Sequence, residues 1–217
     1  MNMSEFLSVA EKGKGREDII KLTLQYLQDK TGFHSVAVRL KDGEDYPYYT
    51  SLGFSGHFIK AENFLCKRDN EDNIVRDGNL NPCLECMCGR VIRGDISNDL
   101  AFITENKSFC SNNTTVLLAS CSPEEKGDTR NRCNAEGYES VFLSPIPYNG
   151  ENIGLIQLND FKPDMITEDT IEFIEELAKA LGHAFNKVFL KEKTLKEKKK
   201  ILKDNIQQIL DDIQRMK

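Results

Sequence analysis

The sequence predicts an α+β domain that runs into a long C-terminal helix, and three observations carry that prediction. An amphipathic pattern over 18–30 precedes two alternating strand patterns. An Asn149-Gly150 pair separates two further apolar runs, the signature of a tight antiparallel hairpin. A seven-residue apolar repeat then continues to the end of the chain, with no Gly or Pro after Gly182.

The elements follow in order. Residues 1–15 are polar and hold Gly13 and Gly15, so they read as a loose lead-in. Asp18 to Lys30 places Ile19, Ile20, Leu24 and Leu27 on one helical face, with Thr31-Gly32 as the stop. His34 to Leu40 reads as a strand with Val36 and Val38 on one face, and Tyr48 to Phe54 as a second. From 57 to 135 periodicity fails, apart from 90–92 and 115–119. So long an irregular stretch needs something to tie it down, and bound metal or a small molecule would serve. Ser140 to Tyr148 and Ile153 to Leu158 form the hairpin, and Thr167 is a good N-cap for the last helix.

In that helix Leu181, Val188, Leu195, Leu202, Ile209 and Met216 recur every seven residues. Phe185, Glu192, Lys199, Ile206 and Ile213 interleave with them. So narrow an apolar stripe predicts a dimeric coiled coil, with a seam of Leu181, Phe185, Val188, Leu195, Leu202, Ile206, Ile209 and Ile213. One amphipathic helix packed on its own domain is the alternative. The lysines from Lys187 to Lys200 read as a solvated face, diluted by Glu192 and Glu197.

Composition sets limits. A formal net charge of −6 argues against a nucleic-acid surface. No apolar run reaches the ~20 residues that span a bilayer, so no membrane insertion is expected. The N-terminus lacks the basic flank and apolar core of a signal peptide. The expected location is the cytoplasm, where thiols stay reduced.

The most informative chemistry is Pro82-Cys83-Leu84-Glu85-Cys86-Met87-Cys88-Gly89, three thiols within six residues. Cys66 and Cys133 also sit in unusual surroundings, the latter between Arg130-Asn131-Arg132 and Asn134. Those arginines would favour a Cys133 thiolate. Pro82-Cys83-x-x-Cys86 matches half of a zinc deaminase signature. The required Glu is missing, because His34, His57 and Cys66 are followed two positions on by Val36, Ile59 and Arg68. No nucleophile–His pair or phosphate-cradling glycine loop is evident, so no enzyme is expected.

The element order resembles a GAF domain. Three stretches, 84–89, 112–120 and 129–140, together with Ile153 to Asp160, resemble a cysteine-containing subgroup of GAF sensor domains. That subgroup occurs in prokaryotic signal-transduction histidine kinases and related regulators. The resemblance implies a six-stranded antiparallel sheet flanked by helices, in a dimeric module that regulates an output domain or partner regulator. It implies subgroup cysteines at Cys66, Cys86, Cys88 and Cys133, with Cys83, Cys110 and Cys121 additional.

Four thiolates, two at Cys-x-Cys spacing and two from distant loops, would complete a tetrahedral zinc site or hold an iron–sulfur cluster. Redox-reactive thiols without metal, and purely structural cysteines, are the alternatives. If a small molecule is bound between sheet and irregular segment, Asn112, Thr114, Thr115 and Glu139 are the candidate polar liners. Capping of the following helix is the other reading of 112–115. The expected organisation is a lead-in over 1–15, a sensor domain over 16–187 and a signalling helix over 188–217. The expected function is a sensory module that reads redox state, oxygen or a small molecule through a Cys-ligated metal and signals through a dimeric helix. A small-molecule-binding module with structural cysteines, and a thiol enzyme using Cys83 and Cys86, compete with it.

Overall fold

A computed structural model describes residues 1–127, 129–184 and 202–203, except for the side chain of Arg16. The chain divides into two compact units, 1–182 and 183–217.

The first unit is built on a five-stranded, wholly antiparallel sheet in the order β2-β1-β5-β4-β3. The strands are β1 (Ser35–Leu40), β2 (Tyr48–Leu52), β3 (Phe109–Ser111), β4 (Ser140–Tyr148) and β5 (Glu151–Asp160). The expected sixth strand is not among the described residues. β4 and β5 form the predicted hairpin. Asn149 and Gly150 both take positive φ (49° and 84°), as its tight turn requires. β3 pairs with β4 only over 141–143. Beyond that point β4 carries Pro145 and Pro147, which have no N–H to offer a neighbour, and the β4–β5 register slips at Pro147.

Alternation gives the sheet two faces. Val36, Val38, Phe142, Ile146, Ile156 and Leu158 face one way, and all are buried. The helices α1 (Met3–Ala10) and α2 (Arg16–Thr31) belong to this side, together with a helix running from 168 to 182 within this unit. Phe6 sets its ring edge-on to Tyr26, and Tyr26 leans on Phe173. Residues 3–10 are thus a helix, not the expected loose lead-in. Asn2 caps it by accepting from the Ser4 N–H (2.9 Å), and Phe6 anchors it. Thr167 caps the last helix as predicted, accepting from the Thr170 N–H at 3.2 Å. Leu181, expected in the dimer seam, is 2% exposed and packs in the core of its own unit. Leu202 is described and 60% exposed. Phe185, Val188, Leu195, Ile206, Ile209 and Ile213 lie outside the described residues.

The other face carries Ser35, Ala37, Arg39, Leu155, Gln157, Asn159, Val141, Leu143 and Phe109. Against it lie α3 (Gly56–Glu62), α4 (Cys86–Arg93), α5 (Thr114–Ser120), α6 (Pro123–Lys126) and α7 (Arg132–Ala135). Asn152 at the start of β5 donates to the Ile92 carbonyl at 2.9 Å and so pins α4 to the sheet.

Backbone bonds and turns tie down the irregular segment. Around Arg68-Asp69 and Arg76-Asp77 the chain repeats itself eight residues apart. In each copy the Asp carboxylate accepts two backbone N–H groups, Asp69 from Glu71 and Asn73, Asp77 from Asn79 and Asn81, all at 2.8–2.9 Å. The Lys67 N–H donates to the Cys83 carbonyl, Cys83 to Val75, and Val75 to Lys67, at 2.8–2.9 Å. This closed ring satisfies groups that a loop leaves to water, and Arg76 adds a two-pronged ion pair to Glu44 (2.8 Å each).

Candidate functional site

A cavity of about 70 Å³ opens between the second sheet face and the layer of short helices. Phe102, Phe109, Leu117, Leu118, Val141 and Leu143 give its wall an apolar character. Four thiols line it: Cys86 and Cys88 from α4, Cys133 from α7, and Cys121 just after α5. At ~15 Å³ per enclosed water, it has room for about five waters or a ligand of similar size.

Cys86 occupies a special backbone position. It opens α4 with φ at 65°, a left-handed conformation that costs a non-glycine residue about 1–2 kcal/mol. Gly89 lets α4 sit hard against Leu84, since a Cβ there would come within 2.6 Å of the Leu84 Cβ. The Cys86 sulfur meets a ring of donors: the Cys88 thiol, the Thr129 hydroxyl at 3.6 Å, and the backbone N–H groups of Arg130 and Met87. The hydrogen bond from Cys88 is the largest influence on Cys86. With the others it outweighs burial and holds the thiol down at about 5. That ring of donors favours the thiolate form of Cys86. Arg130 stands close by, bridging Glu85 (2.8 Å) and Glu62 (3.4 Å).

Its neighbours stay protonated. Cys88 is pushed up because its proton is committed to Cys86, and then by burial. Cys133 is pushed up to about 12, first by burial and then by the Cys86 charge.

Beneath Cys133 lies a buried polar strip on the sheet. The Tyr48 hydroxyl donates to Gln157 Oε1 (2.9 Å), and Gln157 Nε2 donates to Asn159 Oδ1 (3.0 Å) and to Cys133 Sγ (3.9 Å). Arg39, 0% exposed, lies with its guanidinium carbon 3.5 Å from the centre of the Tyr48 ring. It donates to the backbone carbonyls of Tyr46 and Asn63 (2.9 Å each) and of Glu62.

Cys66 is elsewhere. It pairs with Leu84 in an isolated bridge, and its Sγ donates to the Glu44 carbonyl at 3.3 Å. The Asp45 carboxylate accepts the N–H groups of Leu65 (2.8 Å) and Cys66 (3.2 Å). Burial, with the Asp45 charge next, pushes its thiol up to about 12. The expected set of Cys66, Cys86, Cys88 and Cys133 is thus not gathered. Among the described residues no group of three or more His, Cys, Asp or Glu is spaced to hold a metal ion. In this arrangement Cys86, Cys88 and Cys133 line one cavity, and Cys66 bonds the Glu44 carbonyl apart from them.

Thr114 lines the cavity, its hydroxyl donating to the Tyr138 carbonyl at 2.6 Å. Asn112 instead holds Ile166, bonding its N–H and carbonyl at 2.8 Å each. Thr115 donates N–H and hydroxyl to the Glu139 carboxylate (3.1 and 2.7 Å), which keeps that carboxyl below its usual value. Sequence reasoning missed Cys121, set aside as additional, and the buried Arg39–Gln157–Asn159 strip. Placing Val36 and Val38 on one face of β1 leaves Ala37 and Arg39 on the other, but no sequence signal announced a buried guanidinium.

This architecture is that of GAF domains. It matches the GAF domain of an Acinetobacter phosphoenolpyruvate-protein phosphotransferase with a TM-score of 0.59 at 11% identity, covering 89% of this chain and 99% of that one. A domain described as a two-component sensor histidine kinase protein, from Sinorhizobium meliloti 1021, matches at 0.52 and 16% identity, over 81% and 94% of the two chains. A free methionine-R-sulfoxide reductase from Neisseria meningitidis, solved with its substrate, matches at 0.55 and 14% identity, over 84% and 85%. At such identities the likeness establishes the fold alone. No family model and no curated protein matches the sequence. No helix among the described residues is long and apolar enough to cross a membrane.

Proposed function

We propose that this chain is a sensory module of a signalling protein, and that it reads redox state through the Cys86 thiolate in its cavity, without a metal. One observation carries the reading: a strained cysteine, ringed by sulfur, hydroxyl and amide donors, faces a small apolar chamber. Strain and a displaced thiol pKa cluster where chemistry is done. The GAF fold, shared with a domain described as part of a sensor kinase, supports the sensory role. The module is cytoplasmic. The signal passes to a partner or output domain through the C-terminal helix, paired in a homodimer.

The test is hydrogen exchange of the full chain before and after limited oxidation. Changed protection in α4 and in 168–182, lost in Cys86→Ser, is expected. Unchanged exchange would refute a sensory role for this thiol. Elemental analysis after anaerobic purification should find less than one iron or zinc per chain, and a stoichiometric metal would overturn the metal-free reading. The same fold in a methionine-R-sulfoxide reductase favours an enzyme as the second reading. Multiple turnovers of free methionine-R-sulfoxide with a dithiol donor would establish it, and none are expected.

A further inference from the structure

A second opening lies at the edge of the sheet, where β4 runs past the end of β3. It is a cleft of about 230 Å³ and shares no residue with the thiol cavity. At ~15 Å³ per enclosed water it holds about fifteen waters, ample for a small organic ligand. Pro145 and Pro147 line it on the sheet side, apolar and without an N–H. Glu175 and Lys179, four residues apart on the helix over 168–182, line it from the helix side. Asn106 and Lys107 reach it from the turn before β3.

Glu175 is 7% exposed, yet its hydrogen bonds come from two neutral donors, Thr104 Oγ1 (2.5 Å) and Asn106 Nδ2 (2.6 Å). No cation is bonded to it among the described residues, although a buried charge is costly unless paired. Lys179 has the spacing that ordinarily pairs a Lys with a Glu on a helix. Its Nζ donates instead to Asn106 Oδ1 at 3.0 Å. The Asn106 amide thus stands between a carboxylate and an ammonium, its N–H toward one and its carbonyl toward the other. Lys107 brings a second ammonium, which donates to the Ile96 carbonyl at 2.7 Å. An ammonium has three N–H donors and a carboxylate oxygen two lone pairs, so both lysines and both Glu175 oxygens keep capacity.

We infer that this cleft binds a short zwitterion, an α-amino acid with a small apolar side chain. Its ammonium takes the remaining lone pairs of Glu175, and its carboxylate takes the remaining N–H groups of Lys179 and Lys107. Its side chain lies on Pro145 and Pro147. The Asn106 amide sets the length. It spans Glu175 and Lys179 with an oxygen and a nitrogen on one carbon, so a ligand beside it carries its two charges on the same or adjoining carbons. A dicarboxylate would bring like charge to Glu175, and a diamine would bring it to the lysines. Binding here is independent of Cys86. Any effect on output rests on the proposed signalling role of the helix over 168–182, which carries Glu175 and Lys179.

The experiment is isothermal titration of the full-length chain at pH 7 with L-valine as the probe. Saturable binding of one molecule per chain is expected. Isovalerate, which lacks the ammonium, isobutylamine, which lacks the carboxylate, and γ-aminobutyrate, whose charges stand further apart, should each bind at least tenfold more weakly. Lys179→Met and Glu175→Gln should each weaken L-valine by at least tenfold, and Cys86→Ser should leave it unchanged. Lys179 is exposed, so its replacement spares the fold, and Lys107→Met serves where Glu175→Gln does not fold. No saturation at about 10 mM L-valine, equal affinity for isovalerate or isobutylamine, or full affinity in Lys179→Met would each overturn the site. L-valine binding lost in Cys86→Ser would place the ligand in the thiol cavity, overturning the cleft and leaving the Cys86 reading intact.

Discussion

Replacing Gly89 by Ala sets two effects of opposite sign against each other. In an ordinary helix interior the change stabilises by about 0.5–1 kcal/mol, because glycine loses more backbone freedom on folding. In α4 the new methyl would stand 2.6 Å from the Leu84 Cβ, 2.8 Å from its carbonyl carbon and 2.9 Å from its oxygen. Leu84 cannot retreat cheaply. It is bridged to Cys66, and its carbonyl accepts from Arg93 Nη1 at 2.5 Å. Overpacking against fixed backbone costs about 1–3 kcal/mol, so the clash wins and the net loss is about 1–2 kcal/mol. With a urea slope of about 2 kcal/mol/M, the denaturation midpoint falls by about 0.5–1 M with the slope unchanged. The displaced α4 also moves Cys86 away from the Thr129 hydroxyl, so its alkylation slows. A midpoint equal to or above that of the parent chain would refute the close approach of α4 to Leu84.

Four further outcomes are expected. Phe58→Ala removes a fully buried ring stacked on Phe54 (centroids 5.0 Å apart) and edge-on to Tyr138, and should cost about 3–5 kcal/mol in denaturant unfolding. Leu80→Gly should stabilise by about 0.5–1 kcal/mol, because Leu80 is 74% exposed and held at a φ of 66° where a side chain is strained. Cys66→Ser should leave the Cys86 alkylation rate at pH 6 unchanged, since Cys66 bonds Glu44 away from the cavity; a large slowing would show the two thiols to be coupled. Arg130→Met removes the cation beside Glu62, whose carboxyl burial already raises above its ordinary value. A raised carboxyl contributes stability below its unfolded value near 4.5 and loses it as pH rises through the folded value, so the variant should be most weakened at neutral pH and least at pH 4, by thermal melting.

The regular parts of the fold were legible because period and punctuation agreed. Val36 and Val38 marked β1, Asn149-Gly150 marked the hairpin, and Thr167 marked the last helix. Residues 3–10 were not, because Phe6 is the one residue of that helix that is buried, and Gly13 and Gly15 just beyond it read as loop. The irregular stretch 57–135 read as needing a bound metal or small molecule to tie it down, and its part from 66 to 83 has a source of order in the chain itself. Its order comes from two Asx turns and a ring of main-chain bonds, and only the eight-residue echo of Arg-Asp could have signalled them. Cysteine spacing singled out Cys86 and Cys88, and both line the cavity. It could not tell that Asp45 draws Cys66 aside, nor that Cys121 faces the cavity, because both follow from how distant segments pack. The left-handed turn at Cys86 is likewise invisible in a sequence that offers no glycine there.

The central claim is that Cys86 is held as a thiolate while Cys88 and Cys133 beside it keep their protons. The direct measurement is the rate of iodoacetamide alkylation of each cysteine in the full-length chain, resolved by peptide mass spectrometry from pH 4 to 9. Cys86 should react with a midpoint near pH 5, while Cys133 and Cys66, pushed up to about 12, remain unmodified at pH 6. A Cys86 midpoint at or above the ordinary value of 9.0 would contradict the account.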